Sequence, residues 1–453
     1  RMKRKDIIDP QLKSEGDVNL SPERQKYNAK NISIETQKLL DKDAEHFLHQ
    51  SLSTPCLNVM ASCKGAGFTD NQGRDYLDFH GNNVHQVGFG NEKVIAAITE
   101  QLQKLPFCTR RYTNEPAIHL AEQLTELAPG DLNRVLFAPG GAEAIGMALK
   151  LARAATGRFK TISMWDSFHG ASLDAISVGG EAIFRKDAGP LLPGAEHVPP
   201  ADPQHCIFGC EGECNLRCAD YIEYVLEKEG DVAAVIAETI RSTPYIPPKE
   251  YWQKVRAACD KHGALLIFDE IPHALGRTGT MFTFEHYDIV PDMVVIGKGL
   301  GGGIFPIAAL IAREGLNVMY DRALGHYTHE KNPVACAAAS ATLDFIEENN
   351  LLNHVKDLGD YTLEKLEALK EKYPIIADVR GIGLFFGIEL VDPETGERAA
   401  EFAERVMYAA FERGMNFKLT MGNIITLTPA LVITQKEMDR AIEILDSCFE
   451  AVK

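Results

Sequence analysis

The chain has 453 residues, 45% of them hydrophobic and 25% charged, with a formal net charge of -17. That length exceeds one small core and calls for two or three domains, and the composition is ordinary for a globular protein. The negative balance excludes a surface built for nucleic acid or an anionic membrane, since both require a basic face.

An anionic substrate must therefore be held by particular Arg or Lys residues. The longest apolar stretch, 299–312, is Gly-rich and shorter than a membrane span. No leader pattern opens the chain, and a cytoplasmic location is expected.

Residues 1–35 are polar, carry the cluster Lys3-Arg4-Lys5 and lack sustained periodicity, which predicts a flexible or draped arm. Thr36–Gln50 has helical spacing, with Leu39, Leu40, Ala44, Phe47 and Leu48 as its apolar positions. A short strand is expected near Asn58–Ala61. Residues 67–78 read as a hairpin turning at Asn71–Gly73. Helices follow over Glu92–Lys104 and about Pro116–Leu127.

From there strands and helices alternate, the mark of a parallel sheet. Strand Val135–Phe137 turns at Pro139-Gly140-Gly141 into a helix that runs to about Ala155, with Gly157 placed as its C-terminal cap. Strands are expected at Thr161–Met164, Val232–Ala237, Ala264–Phe268 and Met293–Ile296, and a helix at Lys249–His262 stopped by Gly263. The Gly- and Pro-rich stretch 170–218 reads as a functional loop region. Beyond Pro333 come helices Ala335–Asn349 and Asn353–Lys372, strands Ile375–Val379 and Leu384–Leu390, helix Ala399–Arg413, strand Ile424–Thr428 and helix Gln435–Val452. The expected division is an N-terminal arm and joining segment (1–78), a large domain (79–333) and a smaller α+β domain (334–453).

Ten cysteines in a chain this long do not form a disulfide scaffold. Cys206, Cys210, Cys214 and Cys218 recur every fourth residue, whereas metal sites usually show closer C-x-x-C pairs, and Gly209 and Gly212 place the first half in a loop. Free or loosely paired thiols are favoured over structural zinc, and no metal is expected.

Two apolar runs each end in one ionisable residue: Asp269 after Ala264–Phe268, and Lys298 just beyond Met293–Ile296. Ligands of open α/β sheets sit beyond the carboxyl ends of the strands. An amine and an acid delivered there suit pyridoxal 5'-phosphate (PLP), with a lysine to hold the aldehyde and a carboxylate for the pyridinium nitrogen. A plain Lys–Asp surface pair beside a Gly-rich loop is the alternative.

The strings DEIPHALGRTG (Asp269–Gly279), PDMVVIGKGLGGG (Pro291–Gly303), Phe168-His169-Gly170 and Val379-Arg380-Gly381-Ile382-Gly383-Leu384 resemble class III aminotransferases, over roughly residues 55–450. These are PLP enzymes of fold type I, an α/β fold whose large domain holds a mainly parallel sheet beside a smaller α+β C-terminal domain. The resemblance implies that Lys298 is the Schiff-base lysine and Asp269 the pyridinium partner, with Phe168 and Ile271 on the two ring faces. His169 and Glu238 join the cofactor contacts. The backbone N–H groups at Gly140, Gly141 and Ala142 would bind the phosphate at a helix start. Thr328 would reach the phosphate from a neighbouring subunit, which implies a homodimer with shared sites.

The chain also departs from the pattern. Gly140 and Ala142 stand where hydroxyl residues are usual, Pro272 replaces the usual Gln, and Glu238-Thr239 replaces Glu-Pro, with Arg241 where small residues are usual. Arg110, Arg111, Arg241 and Lys418 are the candidate anion binders, each weighed against a solvated surface cation. Segments 80–91, 107–114, 163–180 and 324–331 are similar to a subgroup of lyases acting on 2-amino-1-hydroxyethylphosphonate, which form phosphonoacetaldehyde and ammonia. That implies a small anionic amine as substrate. An ω-aminotransferase using pyruvate or 2-oxoglutarate is the alternative, and a non-catalytic binding protein a distant third.

Overall fold

The computed structural model describes residues 21–210 and 213–452. Residues 1–20 of the expected arm, and Gly212, lie outside the described residues. The rest of that arm is helical. Ser21 and Ser33 each accept a backbone N–H of the following turn and open α1 (Pro22–Asn31) and α2 (Ile34–His46). Tyr27 of α1 stacks on Tyr408 and packs beside Phe411, at 5.4 and 5.3 Å between ring centres. Long-range aromatic burial outweighs the polar composition that suggested an arm.

Strands β1 (Met60–Lys64), β2 (Gly67–Asp70) and β3 (Asp75–Asp78) lead to α3 (Glu92–Lys104) and α4 (Glu115–Leu127). Next come β4 (Leu132–Ala138), α5 (Gly141–Thr156), β5 (Lys160–Met164), α6 (Leu173–Val178), α7 (Ala182–Arg185), β6 (Ala195–Val198) and α8 (Arg217–Glu229). Then β7 (Val232–Glu238), α9 (Lys249–His262), β8 (Leu265–Asp269), β9 (Met293–Ile296) and β10 (Ala308–Arg313) complete the alternating region. The remainder is α10 (Pro333–Glu348), α11 (Leu351–Lys372), β11 (Ile376–Ile382), β12 (Phe385–Leu390), α12 (Ala400–Glu412), β13 (Met415–Asn416), β14 (Lys418–Thr420), β15 (Ile424–Leu427) and α13 (Gln435–Val452).

One compact unit comprises 91–241 and 245–352; the other comprises the described part of 1–90, 242–244 and the chain from 353 onward. The boundaries expected at 78/79 and 333/334 therefore move, for two reasons. Phe79 exchanges backbone hydrogen bonds with Asn416 and Thr428, both at 2.8 Å, which ties the segment after β3 to the second unit. Helix α10 packs on α3 and α4 through a buried run from Pro333 to Leu343 and so belongs to the first.

The first unit is built on a seven-stranded sheet in the order β4-β10-β9-β8-β7-β5-β6. Five neighbouring strands, β9-β8-β7-β5-β6, run parallel, while β10 pairs antiparallel with both β4 and β9. Every residue of β7 and β9 is buried, as a sheet covered on both faces requires. Helix α5 lays Ile145, Met147, Ala148 and Ala152 on this sheet, in one core with Ile236, Ile267 and Val295. The stretch expected as loop, 170–218, contains α6, α7, β6 and the first two residues of α8; its regular pieces before α8 span six residues or fewer, too short to show a period.

The second unit holds two four-stranded sheets, β11-β12-β15-β14 and β1-β2-β3-β13. No helix among the described residues is long and apolar enough to cross a membrane.

Candidate active site

Three parallel strands deliver the site. Glu238 is the last residue of β7 and lies in register beside Asp269, the last residue of β8. Lys298 follows β9 by two residues, in a one-turn helix with φ of 45°. A lysine in left-handed backbone costs about 1–3 kcal/mol, which the surrounding strand ends must offset. Its side chain is exposed in the single chain.

Asp269 is almost fully buried and aimed by two bonds. His169 Nδ1–H donates to Asp269 Oδ2 at 2.7 Å, and the Ile271 N–H donates to Oδ1 at 3.0 Å. His169 Nε2 is buried without a hydrogen-bond partner among the described residues, so the ring's one polar contact fixes the carboxylate. This is the arrangement that a pyridinium partner needs: a charged carboxylate, held rigidly, at a strand end.

The turn after β4 meets the same space. Helix α5 starts at Gly141 with no side-chain cap on Gly140, so its first backbone N–H groups are presented without a capping oxygen. A Cβ on Gly141 would lie 2.7 Å from Ile271 Cδ1, so Ile271 lies against the turn in the space that this glycine leaves. Gly170 has φ of 126°, and a Cβ there would sit 2.7 Å from Ala142 Cβ. Ala142, where a hydroxyl is usual, is thus packed on the Phe168-His169-Gly170 segment. Backbone donors, an oriented carboxylate and a lysine together fit PLP.

The structure places the remaining expected residues unequally. Glu238 Oε2 accepts the Phe168 N–H at 3.3 Å, which links the Phe168 segment to the strand end. The same oxygen accepts from Arg241 Nη1 at 3.1 Å, and Arg241 Nη2 donates to Glu181 Oε1 at 3.3 Å. All three side chains are buried. Burial alone would lower the guanidinium pKa, but Glu238 and Glu181 outweigh it and hold it above its ordinary value. Arg241 thus serves two buried carboxylates as counter-ion, where the sequence suggested a substrate binder.

Arg110 Nη2 lies 2.6 Å from His326 Nε2, with Glu330 Oε1 3.7 Å from its Nη1, and Arg111 is exposed. Thr328 is exposed on the loop before α10. Lys418 stands half-buried on β14 in the other unit, opposite Thr426.

Sequence reasoning missed Glu181 and Glu270. Glu270 is fully buried and accepts from Thr239 Oγ1 at 2.8 Å and from the N–H groups of Thr283 and Phe284 at 2.6 and 2.8 Å. Burial pushes its carboxyl up to about 7 against those three donors. Its position next to Asp269 was the available signal. Glu181 meets Arg241 across 60 residues, and no local pattern announces it.

The family model for class III aminotransferases matches residues 49–449. An (R)-1-hydroxy-2-aminoethylphosphonate ammonia-lyase from Vibrio splendidus is 48% identical, covering 97% of this chain and 96% of that protein. A leucine/methionine racemase from Thermococcus litoralis is 35% identical over 92% of this chain and 96% of its own. Among solved structures, an (S)-enantioselective omega-transaminase from Thermomicrobium roseum superposes with a TM-score of 0.86 at 29% identity, covering 92% of this chain and 98% of that one. A PLP-bound amine transaminase from an uncultivated Pseudomonas species gives 0.84 at 29% identity, covering 90% and 99%. The architecture is that of fold type I. The chain belongs to the class III aminotransferase family, and it is a pyridoxal 5'-phosphate enzyme.

Proposed function

We propose that this enzyme is an ammonia-lyase that converts (R)-1-hydroxy-2-aminoethylphosphonate to phosphonoacetaldehyde and ammonia. The observation that carries the reading is the 48% identity, over almost the whole of both chains, to the Vibrio splendidus lyase. When bound, PLP supplies an electron sink for the carbon that bears the amine. Lys298 would hold the cofactor, and its amine would take a proton from that carbon. Asp269, steered by His169 and the Ile271 N–H, keeps negative charge against the ring nitrogen. Phe168 and Ile271 would hold the ring from its two faces. The hydroxyl on the adjacent carbon leaves as water with that proton; the enamine released becomes an imine, and one water hydrolyses it to aldehyde and ammonia. Water is lost and regained, so no oxo-acid is consumed.

Arg110 and Arg111 are the cations we assign to the phosphonate, because Arg241 is engaged by two carboxylates. The working unit in this reading is a homodimer. Its support is the exposure of Lys298 and Thr328 in the single chain, together with the exposure of the large apolar residues Phe107, Tyr112, Ile304 and Tyr320. A second protomer would dry the lysine and bring Thr328 to the partner's phosphate site. Ten free thiols suit a reducing, cytoplasmic compartment.

The test is product formation from this phosphonate without any oxo-acid. Many equivalents of ammonia and aldehyde per site support the lyase. Aldehyde that stops at one equivalent and resumes only with pyruvate or 2-oxoglutarate identifies an aminotransferase, the chemistry named for the structural neighbours.

A further inference from the structure

Two of the segments singled out in the sequence, 107–114 and 324–331, dock on one another. The Phe107 ring meets His329 edge-on at 5.2 Å, Arg110 meets His326, and Asn114 Nδ2 donates to Lys331 O at 3.0 Å. Each segment runs into a capped helix. Asn114 Oδ1 accepts the Ala117 N–H at the start of α4, and Asn332 Oδ1 accepts the Val334 and Ala335 N–H groups at the start of α10. Helix α4 packs on α10, so both loops are carried by one scaffold.

Arg110 and Arg111 are the two central residues of a turn closed by the Tyr112 N–H on Thr109 O at 2.9 Å. Arg110 Nη2 donates to His326 Nε2 at 2.6 Å. A guanidinium has only donors, so this bond requires a neutral His326 with its proton on Nδ1. His326 holds its place at φ of 105°, a conformation that a residue with a side chain takes only under constraint. The constraint is local. Its N–H donates to Glu330 Oε2 at 3.3 Å, and the same oxygen fills the space beside Gly325, where a Cβ would lie 2.8 Å from it. Glu330 Oε1 stands 3.7 Å from Arg110 Nη1, beyond a hydrogen bond. Arg110 makes no other hydrogen bond among the described residues, and its side chain is 31% exposed. The fork therefore has N–H groups to spare for an anion.

We propose that His326 is a positioning residue: by accepting one N–H of Arg110 it fixes the guanidinium so that the remaining N–H groups are presented to the phosphonate. The inference rests on the assignment of Arg110 to the phosphonate and adds the residue that aims it. A free arginine loses rotamer freedom when it binds, whereas one already held has lost it on folding. A neutral acceptor does this without cancelling the charge. Glu330 offsets one positive charge nearby, and Arg111 at the adjoining turn position leaves the group net cationic.

The test is a double-mutant cycle on the full, PLP-loaded enzyme. It is read by steady-state kinetics with the hydroxylated phosphonate and by calorimetric binding of 2-aminoethylphosphonate, which lacks the hydroxyl that leaves. Arg110→Ala should weaken that binding about ten- to a hundredfold, and His326→Ala about three- to tenfold. His326→Ala should act on KM, with kcat held within about twofold. Placed in the Arg110→Ala background, His326→Ala should change affinity by less than about 1.5-fold, because it acts only through the arginine. His326→Gln keeps an acceptor oxygen in place of Nε2 and should return affinity to within about twofold of the unaltered enzyme. Tm and cofactor absorbance should stay constant throughout. Unchanged affinity in His326→Ala, or the same loss with and without Arg110, overturns the inference and leaves Arg110 at the phosphonate. Unchanged affinity in Arg110→Ala removes that assignment and the inference together. If aldehyde forms only with an oxo-acid present, the lyase reading fails, and the binding cycle still decides the role of His326.

Discussion

Asp269 and Glu238 end adjacent strands, lie opposite one another in register, and are both buried. Their partners set them apart. Asp269 is met by an imidazole and one backbone N–H, contacts that orient a carboxylate and leave it to answer a ligand's charge. Glu238 is met by a guanidinium that it shares with Glu181. In the proposed function, two carboxylates at equivalent positions divide into chemistry and scaffold, and the division is set by what each faces.

The sharpest break of the comparison is at the lysine. Lys298→Ala should lower turnover by about 10⁴-fold or more, because nucleophile and proton carrier are lost together. Borohydride should then fix no cofactor, whereas in the unaltered chain it should fix it at Lys298; trapping at another lysine would overturn the assignment. Asp269→Asn removes the charge but keeps the shape. It should cost about a hundred- to a thousandfold in kcat and weaken cofactor retention, with Tm little changed.

Arg241 sharpens the other side. Arg241→Gln leaves two carboxylates buried without their cation, which costs about 3–5 kcal/mol of stability. A loss of that size lowers Tm by roughly 6–20 °C in a domain of this class. KM for the phosphonate in the surviving enzyme should stay within about twofold. A tenfold rise in KM at unchanged Tm would return Arg241 to the substrate site. Arg110→Ala should do the reverse, lowering kcat/KM about ten- to a hundredfold through one lost charge-assisted bond while leaving Tm in place.

The unequal legibility of these residues has a physical origin. Helices α3 and α9 and strand β9 matched the sequence residue for residue, since a strong period or a bounded apolar run defines them. Lys298 and Asp269 were visible because they end such runs. Strand β10 was missed: it lies in an uninterrupted apolar stretch after a Gly-rich turn, where strand and loop look alike. The helix of residues 22–31 was hidden because its stabilising contacts, Tyr27 on Tyr408 and Phe411, come from the far end of the chain. Glu181 was invisible for the same reason. The role of Arg241 could not be read without it, since an arginine's function depends on which anion it meets.

Glu270 is the intermediate case and gives the smallest effect. Its carboxyl is raised from the usual 4.5 to about 7 by burial, so the fold prefers it protonated. A raised carboxyl contributes its stability fully below 4.5 and loses it as pH climbs towards 7, beyond which the buried charge is carried at a cost. A shift of this size corresponds to about 3 kcal/mol. Glu270→Gln is neutral throughout, yet its amide NH₂ must face at least one of the donors from Thr239, Thr283 or Phe284, losing about 1–3 kcal/mol. The variant should therefore melt below the unaltered chain at pH 5, and the gap should narrow steadily towards pH 8. Calorimetry across that range checks it. A gap that stays constant would mean that the three donors hold Glu270 ionised, as a second fixed charge beside Asp269 rather than a proton-bearing neighbour.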